Sequence, residues 1–119
     1  LQAYSLETVI AEKFHTMLDR DEYNSRMKDF FDCYQLLTKR ELDDVTLYDA
    51  IKATFDNREL EYNPKLKLFT AEFVNDANRQ MQWKLFLRKI QWKEELSFNV
   101  VMQVIKDRLK PMAKKYWNR

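Results

Sequence analysis

The chain contains no glycine in 119 residues, against an ordinary usage of about 7%. This single absence removes the Asn-Gly type of two-residue β-hairpin, which needs positive φ at both central positions. It also removes the usual glycine at the end of a helix. Glycine-rich phosphate loops of the P-loop and dinucleotide kinds are excluded outright. A chain built this way is expected to be helical. Any phosphate cradle it works with has to come from elsewhere.

The periodicity agrees. Apolar residues recur at three- and four-residue intervals nearly throughout, and no strand pattern, repeat or low-complexity tract is present. A first helix is expected from a Ser5 cap to about Leu18, with Leu6, Val9, Ile10, Phe14 and Met17 on one face. A polar turn over 19–24 follows, and Ser25 then caps a second helix from Arg26 to about Leu37. The pattern breaks from Asp43 to Thr46. The Thr46–Asp49 spacing starts a third helix carrying Leu47, Ala50, Ile51, Thr54 and Phe55. Residues 57–67, with Asn63-Pro64, read as a loop. A fourth helix spans Ala71 to Gln91, its apolar stripe shifting along the way, and Ser97 caps a fifth, kinked or ended by Pro111. The fold class is therefore all-α, a bundle of about five helices. It forms one domain, with motif-bearing helices in 1–56 and C-terminal helices in 68–117.

Two charges sit where apolar residues belong. At about 100° per residue, Lys13 falls inside the apolar arc of the first helix, between the directions of Val9 and Met17. Glu12 points elsewhere, and His15 is expected to face solvent. The second helix is apolar around more than half its circumference, so it belongs at the centre of the bundle. Asp29 lies inside that arc, between Leu36 and Cys33, whereas Asp32 falls outside it, one turn from Lys28. A buried ammonium needs a partner, so Lys13 and Asp29 are expected to meet. Such a pair is either architectural, fixing how two helices dock, or part of a site at the bundle edge. In a site, the ammonium would neutralise phosphate and the carboxylate would orient a ligand group or the lysine itself.

Composition limits the other options. One Cys and one His exclude an internal disulfide and a zinc site, and the lone Cys33 fits a reducing cytosol as a small core residue. A net charge of +2 is too small to argue for nucleic acid. The basic tail of Lys110, Lys114, Lys115 and Arg119 reads as a solvated run, with RNA phosphate as the alternative contact. Trp83, Phe86 and Trp92 are expected in the core. No apolar run approaches the ~20 residues that span a bilayer, so no membrane partner is expected. The start at Leu1 without Met leads us to expect a piece of a larger protein.

The charged stretches resemble the C-terminal motifs of the AbiEii/AbiGii nucleotidyltransferase toxin family. Glu12-Lys13-Phe14, led by Tyr4-Ser5-Leu6-Glu7, is similar to the family's third motif. Arg26-Met27-Lys28-Asp29-Phe30-Phe31-Asp32, preceded by Asn24-Ser25, is similar to the fourth. Residues 77–87 resemble a later helix. The resemblance implies the helical part of a nucleotidyltransferase of toxin–antitoxin or abortive-infection type, and a cytoplasmic location. It implies Lys13 and Asp29 as catalytic residues, with Arg26, Lys28 and Asp32 supporting substrate binding and no metal ligand in this chain. NTP and Mg2+ are expected only for the full-length protein. The implied partners are an N-terminal nucleotidyltransferase core that this chain lacks, a cognate antitoxin and an RNA acceptor. The alternative is a non-catalytic interaction module in which Lys13–Asp29 is a structural ion pair.

Overall fold

A computed structural model describes residues 4–119. Its six helices are α1 (Leu6–Arg20), α2 (Met27–Lys39), α3 (Asp44–Asn57), α4 (Ala71–Asn75), α5 (Ala77–Lys89) and α6 (Phe98–Trp117). A 3-10 turn at Asp21–Tyr23 follows α1, and the described residues include no strand.

The expected caps are partly met. Ser5 Oγ accepts the Thr8 amide at 3.1 Å and Ser97 Oγ accepts that of Val100 at 3.1 Å. The second start is different. The side chain that organises it is the fully buried Asn24, whose Oδ1 accepts the Arg26 amide at 2.9 Å, and no side chain caps α2 itself. The third helix begins earlier than the Thr46 spacing implied, because Asp43 is the cap and accepts the Thr46 amide at 3.0 Å. The single helix expected over 71–91 is two. Asp76 sits at φ −54°, ψ 124°, ends α4, and accepts the Arg79 amide to start α5. The shift in the apolar stripe reflects this break. Pro111 does not end α6, which continues to Trp117 with Ala113 and Tyr116 buried.

The core is strongly aromatic. Phe14 of α1 meets Phe55 of α3 at 5.8 Å between ring centroids. Phe30 of α2 stands edge-on to Phe98 of α6 at 5.3 Å. Phe31 bridges α2 to Phe86 and Trp92 around α5, and the buried Trp83 donates from Nε1 to the Leu96 carbonyl at 2.9 Å. At its far end α6 places Tyr116 and Trp117 on Phe55. A 20-residue helix, about 30 Å long, thus ties the α2 end of the core to the α3 end. Cys33 is wholly buried, and burial pushes its thiol up to about 12, so it is an inert core residue.

Without glycine, two helices still close with the left-handed turn that glycine normally serves. After α3, Glu59 has φ 53°; its amide reaches the Asp56 carbonyl, and the Leu60 amide reaches that of Phe55. After α5, Gln91 has φ 58°, with the same two bonds from Gln91 to Arg88 and from Trp92 to Leu87. Both are Schellman closures made by residues with a Cβ, at a cost of about 1 kcal/mol each. We therefore expect Gln91→Gly to raise stability by roughly 0.5–1 kcal/mol in urea unfolding, the strain relieved outweighing the added unfolded-state entropy.

Candidate active-site residues at the α1–α2 junction

Lys13 leaves α1 toward the first turn of α2. Its Nζ lies 3.3 Å from Asp29 Oδ1 and 3.3 Å from Asp32 Oδ2. Arg26, just ahead of α2, brings Nε to 3.3 Å from the other Asp29 oxygen. Lys28 pairs with Asp32 one turn along. All five residues singled out in the sequence therefore form one network. They are not equally placed. The Asp29 side chain is 7% exposed and that of Lys13 21%, whereas that of Lys28 is 71% exposed and touches the network only through Asp32. Asp29 also sits in the first turn of α2, where the helix dipole favours a carboxylate.

The ammonium has three donors; it donates to Asp29 Oδ1 and lies within ion-pair distance of Asp32 Oδ2. Lys13 also lines an open groove of about 330 Å³ bordered by Tyr4, Glu12, Thr16, Arg26, Asp29 and Arg58. Lys13, Arg26 and Arg58 bring three positive charges to this groove and Glu12 and Asp29 two negative ones, which suits an anion.

Two charged groove residues, Glu12 and Arg58, were not assigned a site role from the sequence. Glu12, set aside as pointing elsewhere, accepts from Arg58 Nη2 at 2.9 Å. Arg58 follows α3, 46 positions away in sequence, and no local pattern marks it. Glu12's signal was its place in the Glu12-Lys13-Phe14 motif; helix geometry alone had pointed it away from the site. His15 corrects an expectation: it is buried at 8% exposure, 6.4 Å from the Phe55 ring, because α3 covers the flank of α1 that periodicity left open. The basic tail is largely engaged. Arg119 pairs with Asp56, and the Lys115 ammonium lies 4.2 Å over the Tyr48 ring.

The motif-bearing segments so placed lie within a longer match. The profile of the AbiEii nucleotidyl transferase toxin of type IV toxin–antitoxin systems covers residues 1–104. The chain belongs to the AbiEii nucleotidyl transferase toxin family. No curated protein and no solved structure matches it. Membership in a toxin family of this type implies a cognate antitoxin. Among the described residues no helix is long and apolar enough to cross a membrane.

Among the described residues no three His, Cys, Asp or Glu side chains converge, and both Asp29 oxygens already face cations. What this network can do is hold and aim positive charge at an oxyanion.

Burial holds the His15 imidazole below its ordinary value of 6.5. As pH falls beneath about 6.5 the unfolded chain takes the proton first, so stability is full above that value and declines below it. Between pH 7.5 and 5.5 the urea midpoint of the wild-type chain should fall more than that of His15→Leu; equal slopes would count against a buried neutral imidazole.

Proposed function

We propose that this helical unit completes the NTP site of a toxin nucleotidyltransferase. Lys13 contacts substrate phosphate, and Asp29 orients the lysine ammonium. Arg26 supports Asp29 from its second oxygen, and the Lys28–Asp32 pair holds the flank. The observation that carries this reading is the position of Lys13 Nζ, fixed between Asp29 and Asp32 yet bordering the open, cation-rich groove.

In phosphoryl-group transfer the protein mainly positions groups and stabilises charge. A lysine held between two carboxylates cannot swing freely, so a donor not taken by Asp29 is preorganised toward a developing phosphate charge. Mg2+ would supply further charge neutralisation from a nucleotidyltransferase core outside these 119 residues. The acceptor in this proposal is RNA, and the cognate antitoxin is the regulatory partner. The setting is the cytoplasm, where NTP is available.

One observation favours a second reading. The same Lys13–Asp29 contact joins α1 to α2, so it also serves the docking of an interaction module with no transfer activity.

In the full-length protein, Lys13→Met should reduce nucleotide transfer by about 10²–10³-fold while circular dichroism stays close to wild type and the melting temperature falls without loss of the fold, since Arg26 still faces Asp29. The methionine keeps the apolar stem and drops the charge. Undiminished transfer would refute the site. Loss of the fold in both Lys13→Met and Lys13→Arg would favour the structural reading.

A further inference from the structure

Arg58 has no counterpart among the charged motifs, and it is the one cation of the groove supplied by neither α1 nor the start of α2. The Schellman closure of α3 puts it there. Its amide bonds back to the Thr54 carbonyl, Glu59 takes the left-handed turn, and the Arg58 side chain is delivered across α1 to Glu12. A guanidinium has five donors in a planar fork. Glu12 engages Nη2 at 2.9 Å, and among the described residues Nε and Nη1 have no protein partner. The side chain is 56% exposed, so this pair contributes little to stability. It does constrain where the fork sits, on the groove that Lys13 borders.

The donor set of the groove is therefore one ammonium with a free direction and two guanidinium groups, each with unused donors. Two adjacent oxyanions, or one presenting several oxygens, match such a set. A monocarboxylate fills it poorly. Phosphate chains and nucleic-acid backbones share the required chemistry.

We infer that Arg58 is a second phosphate-binding residue of this groove, taking a polyphosphate chain together with Lys13, and that Glu12 is the residue positioning it. The inference rests on the phosphate-binding reading of Lys13 given above and adds a ligand group from a third helix. It makes the α1–α3 contact, and not only the α1–α2 contact, part of the binding site. The bidentate fork sets the phosphate register, and the lysine adds a point charge.

The test is calorimetric titration of the chain with inorganic tripolyphosphate, with a single-stranded RNA oligonucleotide as a second arm. Arg58→Ala should weaken tripolyphosphate binding at least tenfold and Arg58→Lys should recover only part of it, because the ammonium lacks the fork. Circular dichroism of each variant should match wild type. Equal affinity of wild type and Arg58→Ala for tripolyphosphate overturns the inference, as does an Arg58 effect confined to RNA. If Lys13→Met binds like wild type while Arg58→Ala does not, the Lys13 reading fails and the Arg58 site stands. Absence of binding by the wild-type chain removes both.

Discussion

The contact on which the site depends is the Lys13 ammonium set between Asp29 and Asp32. Apolar burial drives α1, α2, α3 and α6 together, but it is non-directional and leaves helices free to rotate or slide by small amounts. A lysine in an apolar arc, facing an aspartate in another, removes that freedom. The register in which Lys13 meets Asp29 satisfies both charges, whereas other registers strand one of them in a poorly solvated seam. Asp29 is then shared with Arg26, and Asp32 with Lys28. Docking geometry and candidate chemistry thus rest on the same atoms.

The absence of glycine shapes the rest. It drives the chain into helices, and it leaves the left-handed turns after α3 and α5 to Glu59 and Gln91. The strain at Glu59 has a local return. The closure it completes fixes Arg58 beside Glu12. A second acid serves a similar end at the C-terminus of α1. Asp21, also at positive φ, accepts the amides of Lys67 and Leu68 and ties the long loop after α3 back onto the core. Backbone closures at Glu59 and Gln91 and the Asp21 carboxylate thus stand where many proteins would use glycine turns.

How much of this could be read in the sequence follows from what each feature depends on. Lys13 and Asp29 were legible because both break a strong 3.6-residue pattern, and a misplaced charge needs only its own helix to be noticed. The Ser5 and Ser97 caps were legible for the same local reason. Ser25 was expected to cap the second helix, but no side chain caps α2; the buried Asn24 organises the turn before it instead, and only the fold separates two residue types that both favour such positions. The break at Asp76 left a trace in the shifting stripe, which was compatible with a simple bend. His15 and Arg58 depend on α3 crossing α1. No local pattern encodes that crossing, so one was expected in solvent and the other went unnoticed. The family motifs pointed to the α1–α2 half of the groove, and the α3 contribution emerged only from the fold.

Lys13, held between two carboxylates, still offers a donor to phosphate. Side-chain nitrogen NMR of the chain, titrated with tripolyphosphate, examines that directly. The Lys13 Nζ resonance should shift on saturation, with the Arg26 and Arg58 guanidinium signals moving beside it and the Lys110 and Lys114 signals staying in place. A Lys13 resonance unmoved at saturation, with the shifts falling on the basic tail instead, would contradict it.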